Sequence, residues 1–459
     1  MTYLEFLKTK ELKTIAAGFD YPRERVNENA FEYQKDIILW AIKKGKAAIL
    51  TGCGTGKTFM QAEYARIVTE ETGGKALILA PLSVVEQTVR DARKFGIAEI
   101  TPCRSQADVR PGINITNYEM IDHFDPGTFN CVVLDESSIL KSYTSKTQEE
   151  LTEKFAETPY KLLCTATIAP NDYTEIGTSS EFLGIMSRAE MLATYFIHDG
   201  GDTSKWRLKK SGAKKFWEWF ATWAMYFNSP EDLGYHVDGF DLPDLIICQM
   251  VLKSEASDYE LFVIPAETLE ERRMARKESL KARAERAAAL VNGSKEPWLI
   301  WCDYNDESAE LKRVINQSVE IRGADSPETK AKASIDFADN KIHALISKPS
   351  IFGFGSNFQN CHNMIFCGLS DSYERFYQAV RRCWRFGQTK QTNVYVILSE
   401  KEINMLLNIE RKEKLMEEMQ KEMTSLMRDV TLSEIRHTTR ITTEYNPRER
   451  MIAPPWLKS

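Results

Sequence analysis

One stretch limits the possible folds of this chain more than any other: Ala48-Ile49-Leu50-Thr51-Gly52-Cys53-Gly54-Thr55-Gly56-Lys57-Thr58. The apolar run from Ala47 to Leu50 reads as a buried strand, and the residues from about Phe59 to Thr69 read as a helix. A glycine-rich turn between them lets backbone N–H groups face phosphate oxygens, and the new helix adds its N-terminal dipole. Gly52, Cys53, Gly54, Thr55 and Gly56 would form this cradle. Lys57 would bring charge to the β- and γ-phosphates, and the Thr58 hydroxyl could hold Mg²⁺. Thr51 departs from the pattern, which usually has Gly or Ala there. The alternative is an ordinary glycine-rich turn, and the flanking strand and helix argue against it.

With 459 residues the chain is long enough for two or three domains. Its net charge of −6 means that any affinity for nucleic acid comes from local basic surfaces. Nine cysteines occur without a C-x-x-C pair, and Cys361, His362 and Cys367 lack zinc-ligand spacing. Free thiols in a reducing compartment are expected. No apolar run approaches the ~20 residues of a membrane helix. Glu5, Lys8, Lys10 and Glu11 interrupt any signal-peptide layout in Met1 to Ile15, so a cytoplasmic location is expected, without membrane contact.

Apolar segments alternate with helical ones along the first half. After the phosphate loop they are Ala76 to Pro81, Ile113 to Tyr118, Cys131 to Glu136 and Leu162 to Thr167. The alternation predicts a parallel sheet covered on both faces, with function at the carboxyl ends of its strands. Asp135 and Glu136 end one such strand. The first acid can hold Mg²⁺ and the second can polarise an attacking water. Gln34, about twenty residues before the phosphate loop, can read an adenine edge with its amide.

From Ser180 to Leu242 the sheet pattern breaks. Four tryptophans (206, 217, 219 and 223) and five basic residues lie between Trp206 and Tyr226. The tryptophans read better as core, while the lysines could face solvent or nucleic acid. Asp241-Leu242-Pro243 marks a boundary, and Leu245 to Leu252 reads as a strand. Ser254 to Val291 is a charged helix or helix pair. Between Glu271 and Arg286 it has seven basic and three acidic residues, either a solvated face or a grip on a phosphate backbone. A second set of apolar strands follows, at Trp298 to Cys302, Val319 to Ile321, Ala344 to Ser347, Met364 to Cys367 and Asn393 to Leu398. Ser372 to Arg385 reads as a helix, with Arg382 and Arg385 on one face. Arginines in a domain without a phosphate loop suit fingers supplied across a cleft. Glu400 to Met427 reads as an amphipathic helix before a polar tail.

These stretches together resemble the superfamily-2 helicases, and within them the Swi/Snf-type DNA translocases, from about Phe31 to Leu398. Gln34 matches the adenine-reading glutamine, and Thr51 to Thr58 match the phosphate-loop motif. Ala80-Pro81 and Thr116-Asn117-Tyr118 are similar to DNA-contact motifs. Asp135-Glu136-Ser137-Ser138 matches the acidic motif, with serines where many relatives have Ala-His or Ala-Asp. Thr165-Ala166-Thr167 matches the next motif, with Ile168 in place of the usual proline. Ser347-Lys348 to Asn357, including Gly355, resembles a further motif, and Gln378 to Gln388 matches the arginine motif in full. Residues 169–173, 216–219 and 232–235 resemble a compact subgroup encoded by phages and prophages.

The resemblance implies an α/β fold of two RecA-like parallel-sheet domains with helical insertions. The domains expected are 1–242, with a Trp/Lys-rich insertion at about 180–242, and 243–430, with a charged helical insertion at about 254–292. Residues 431–459 form a tail. It implies an ATPase using ATP and Mg²⁺, with Lys57, Glu136, Arg382 and Arg385 catalytic, and with Gly355 and Asn357 beside the nucleotide. Thr58 and Asp135 would hold the metal. DNA, duplex or forked, would be contacted by Pro81, Asn117, Tyr118, Ser347 and Lys348. A monomer is expected, in a bacterial host cytoplasm if phage-encoded. An RNA helicase and a nucleotide-gated binding module with little turnover are the alternatives.

Overall fold

A computed structural model of the chain describes residues 17–52, 54–82, 84–97, 99–141, 146–166, 172–199, 202–253, 266, 268–353 and 356–435. Cys53, Gly355 and residues 167–171, singled out above, lie outside them.

The first domain is built on a seven-stranded sheet in the order β3-β4-β2-β5-β6-β1-β9. Its strands are β1 (Lys46–Thr51), β2 (Lys75–Ala80), β3 (Ile100–Pro102), β4 (Gly112–Asn117), β5 (Cys131–Asp135), β6 (Tyr160–Thr165) and β9 (Ala224–Phe227). Every pairing in it is parallel, as in the register Lys46 to Lys161 and Ala48 to Ala224. Both faces are covered, which is why β1, β2, β5 and β6 are apolar almost throughout. Helices α1 (Glu32–Lys44), α2 (Lys57–Thr72) and α3 (Val85–Lys94) belong to this domain, and α2 packs against both α1 and α3.

The residues from 180 to 242 depart from the expected break in the sheet. They contain the hairpin of β7 (Phe196–Asp199) and β8 (Asp202–Leu208), then α4 (Ala213–Ala221), and then β9, which returns to the first sheet beside β1. Trp217, Trp219 and Trp223 are buried core, as read from the sequence.

The second sheet has six strands in the order β10-β15-β14-β11-β13-β12, again all parallel. They are β10 (Leu245–Leu252), β11 (Trp298–Trp301), β12 (Ser318–Glu320), β13 (Ala344–Ser347), β14 (Asn363–Cys367) and β15 (Thr392–Ser399). The α/β fold with two parallel-sheet domains and helical insertions is therefore present. The charged segment before β11 contains two helices, α5 (Leu269–Glu278) and α6 (Leu280–Val291).

Two helices differ from expectation. The helix carrying the arginine motif, α7, spans only Tyr373–Val380, so Arg382 and Arg385 share no helical face and lie in the turns beyond it. The Arg382 Nε donates to the Gln378 carbonyl at 2.8 Å, the acceptor that the Arg382 N–H would use if the helix continued. That N–H turns to Ala379 O instead. The last helix, α8 (Ile403–Ile435), runs past residue 430. It leaves the second domain and packs on α4 and β9 of the first, burying Met416, Met419, Met423 and Met427. Each such side chain contributes roughly 1.5–3 kcal/mol on burial. Tyr173 donates to Glu422 at 2.8 Å on the same contact.

Candidate functional site

The carboxyl ends of β1 and β5 open onto a cavity of about 410 Å³ between the two domains. The first domain lines it with Gln34, Gly54, Gly56, Lys57, Thr58, Asp135 and Glu136; the second brings Asn357, Gln378, Arg382, Arg385 and Phe386. Gly54 and Gly56 adopt φ of 92° and 82°, a region that favours glycine. A Cβ on Gly56 would lie 2.2 Å from Gln34 Nε2, so a side chain there would displace the Gln34 amide. Lys57 opens α2 and its ammonium donates to the carbonyls of Thr51 and Gly52, at 2.8 and 2.9 Å. Thr55, buried, donates its hydroxyl to Gly52 O at 3.0 Å and braces the turn.

Glu136 sits at φ 56°, a strained conformation for a side chain of its size. Its Oε1 accepts from the hydroxyls of Thr165 at 2.7 Å and Ser138 at 3.2 Å. Burial pushes the Glu136 carboxyl above its ordinary range, and Lys57 and Thr165 pull it back. Burial raises Asp135 too, again opposed by Lys57. A carboxylate made more basic in this way is suited to taking a proton from water. Ser138, one of the two serines departing from the family pattern, thus orients the acid beside it.

The donor set fits the expected cofactors. The Thr58 hydroxyl and the Asp135 carboxylate are the hard oxygen ligands that Mg²⁺ prefers. Among the described residues no group of three or more His, Cys, Asp or Glu side chains could hold a metal. Phosphate and water would have to complete the shell, which is usual for Mg²⁺. Turn, lysine and helix N-terminus suit a triphosphate.

Gln34 is buried and already engaged. Its Oε1 accepts from Phe31 N–H at 3.0 Å, and its Nε2 donates to Thr55 O at 3.1 Å. It anchors the phosphate turn to the start of α1, leaving the amide only partly available to a base. Aromatic side chains missed from the sequence surround it: Phe31 stacks on Tyr33, and Phe240 meets Phe386 from the second domain at 4.8 Å. Phe31, three residues before Gln34, carried the only local signal.

Arg382 is held by neutral oxygens, with Nη2 on Gln378 Oε1 at 2.9 Å and Nη1 on Ser356 O at 3.3 Å. Arg385 Nη1 meets the same Ser356 carbonyl at 3.3 Å. Arg381, not chosen from the sequence, lies over Trp384 at 4.8 Å, and its Nη2 would be 3.4 Å from a Cβ on Gly52.

The residues expected to touch nucleic acid are placed differently. Pro81 lines the cavity itself. Asn117 caps the next turn by accepting from Glu119 N–H at 3.0 Å, and Tyr118 donates to Asp135 O at 2.7 Å. Ser347 is fully buried and donates to Ile321 O. The polar ends of these three are committed within the protein. Lys348 is half-exposed and lines a pocket of about 370 Å³ with Arg272, Arg273, Arg276 and Arg375. Both carboxylates there are taken, Asp371 by Arg272 and Asp303 by Arg276. Arg273, Lys348 and Arg375 have no carboxylate partner among the described residues, so the pocket is positive.

Comparison with curated proteins returns no match. Among solved structures, the Sulfolobus solfataricus SWI2/SNF2 ATPase core in complex with dsDNA is similar over 89% of this chain and 97% of that one, at 16% identity and a TM-score of 0.40. Residues 282–387, which include β11 to β14 and both Arg382 and Arg385, match the family model of the helicase conserved C-terminal domain.

Proposed function

We propose that the chain is an ATP-dependent DNA translocase of helicase superfamily 2, Swi/Snf-like, and of the compact kind encoded by phages and prophages. The observation that carries this reading is the single cavity holding Lys57, Thr58, Asp135 and Glu136 from one domain and Arg382 and Arg385 from the other. Bound ATP supplies the phosphoryl group that is transferred to water, and Mg²⁺ neutralises charge on its oxygens. Lys57 holds the phosphates, Thr58 and Asp135 face the metal, and Glu136 takes the proton of the attacking water. Arg382 and Arg385 stabilise the charge on the transferring group, but only with the cleft shut. Cleft closure and opening then alternate the grip of the two domains on DNA. The positive pocket of Arg273, Lys348 and Arg375 is the part of the second domain that would meet the DNA backbone. The functional units are residues 1–242 and 243–430, the second ending in a helix that continues to Ile435 and lies on the first, acting as a monomer in the cytoplasm.

ATP turnover measured with single-stranded, duplex and forked DNA and with RNA tests the reading. Duplex or forked DNA is expected to stimulate most. Stimulation by RNA alone would make the chain an RNA helicase, and absence of turnover with every polymer would leave a nucleotide-gated binding module.

A further inference from the structure

Alternating grip needs a contact with DNA on each domain, and the first domain has none so far. The polar ends of Asn117 and Tyr118, expected to supply it, are committed to Glu119 N–H and Asp135 O. Elsewhere on that domain the stretch from Trp206 to Lys215 has five basic residues and no acid in ten, in a chain whose net charge is −6. It runs from the end of β8 into the start of α4. Two of its members serve the fold. The Lys209 ammonium donates to the carbonyls of Ala193 and Thr194, at 3.0 and 2.9 Å. Trp206 lies against His198 on the facing strand, with ring centres 3.8 Å apart. Lys210, Lys214 and Lys215 are exposed and form no ion pair among the described residues. Lys214 and Lys215 stand in the first turn of α4, where the helix dipole opposes cations, so helix stability does not explain them. The opposite face of α4 is core, with Phe216, Trp217, Trp219 and Phe220 buried. Through Thr222 and Trp223 α4 enters β9 and packs on it, so it runs back along that strand. β9 ends beside the phosphate turn, with Phe227 paired to Thr51. The lysines at the start of α4 therefore stand at the end of the sheet where β1 and β5 open onto the cleft.

We propose that Lys210, Lys214 and Lys215 form a DNA-contact surface of the first domain, one that holds the phosphate backbone and reads no bases. This inference rests on the translocase reading and supplies the first-domain grip that reading lacks. Charge complementarity names the partner: three ammonium groups without a counter-charge, close together in the chain, suit a polyanion with regularly spaced phosphates. The tryptophans of the segment are not available to stack on bases, because Trp206 is taken by His198, and Trp217, Trp219 and Trp223 are buried. The contact is therefore indifferent to sequence.

The test measures affinity of the full chain for duplex DNA over a series of salt concentrations. It compares wild type with Lys210→Gln/Lys214→Gln/Lys215→Gln, with each single glutamine variant, and with Lys210→Arg/Lys214→Arg/Lys215→Arg. The triple glutamine variant is expected to lower the slope of log affinity against log salt by about 3, and each single variant by about 1. At 0.15 M salt the triple variant should bind on the order of 10- to 100-fold more weakly, and equally so on duplexes of unrelated sequence. The arginine variant should keep the wild-type slope, because only charge is required. Melting at the wild-type temperature shows that the variants are folded. An unchanged slope in the glutamine variants overturns the proposal, and so does a loss confined to one DNA sequence or an equal loss with arginine. If DNA stimulates turnover in wild type and the slope is still unchanged in the glutamine variants, this surface alone fails. If wild type binds no DNA, the translocase reading fails and the surface with it.

Discussion

Two pairs of arginines in the second domain meet opposite electrostatic surroundings. Arg276 and Arg283, on α5 and α6, are buried among carboxylates: Glu307 lies 2.9 Å from Arg276 and 3.0 Å from Arg283, and Glu402 lies 3.7 and 3.8 Å away. Both also donate to the Cys367 carbonyl at the end of β14. Arg382, in contrast, is held by carbonyl and amide oxygens at the mouth of the cleft. A guanidinium cancelled by carboxylates inside a fold serves as a strut. One restrained by neutral oxygens keeps its full charge for an anion that arrives later. Of the four basic residues of α5, Arg276 is buried in the ionic cluster and Arg272 is paired with Asp371, which leaves Arg273 and Lys277 exposed to solvent or to a phosphate backbone.

The sharpest way to break the comparison is to remove one member of each pair. Arg385→Ala is expected to leave ATP binding and the melting temperature near wild type while turnover falls on the order of a thousandfold or more. Lysine there should rescue poorly, since it lacks the planar fork. A variant that melts early and turns over ATP within a few-fold of wild type would make Arg385 a strut as well. Arg283→Met should do the reverse. It leaves Glu307 and Glu402 short of a counter-charge, at a cost of about 3–5 kcal/mol. Thermal unfolding should register that loss, while the fraction still folded at low temperature turns over ATP normally. A melting point equal to wild type would remove the strut assignment.

Much of this was legible in the sequence where one residue pattern has one physical solution. The phosphate turn, the apolar strands β1, β2, β5 and β6, and the acids that end β5 are of that kind. The three-residue β3 offers too little pattern to read, and β9 follows a tryptophan-rich run whose aromatic residues mask it. The end of α7 was illegible because no Gly or Pro interrupts Tyr377 to Arg385; a side chain, Arg382, takes the helix's terminal carbonyl. Arg276 and Arg283 could not be told from a solvated helix face, because their partners come from residues 303, 307 and 402.

A smaller effect concerns the arginines and lysine that have neither kind of partner among the described residues. If Arg273, Lys348 and Arg375 meet three backbone phosphates, replacing all three by glutamine should lower the slope of log affinity against log salt by about 3. The loss should be similar for every DNA sequence. An unchanged slope would mean that these cations only keep the surface solvated.

The smallest effect sharpens the comparison with a buried cation that can lose its charge. Lys161, at 1% exposure, forms no ion pair with a carboxylate among the described residues. Its Nζ donates to Phe182 O at 2.8 Å and Ala156 O at 3.4 Å, so its partners are neutral, as those of Arg382 are. An arginine in that position stays charged. The lysine instead drops from 10.5 to about 8, driven first by burial and then by repulsion from Lys46, with Glu157 opposing. Below about pH 8 folded and unfolded chains are both protonated, and the cost of the buried charge is felt in full. Between about 8 and 10.5 the unfolded chain binds the extra proton, so stability contributed at this site rises with pH, and above 10.5 the cost is gone. Lys161→Met leaves two carbonyls without a donor, an offset that does not depend on pH. The difference in unfolding free energy between wild type and this variant should therefore shift in favour of wild type by about 3 kcal/mol across that window. Parallel pH profiles for the two proteins would mean that the ammonium is solvated in the folded state, and that neutral oxygens hold a lysine charged as firmly as they hold Arg382.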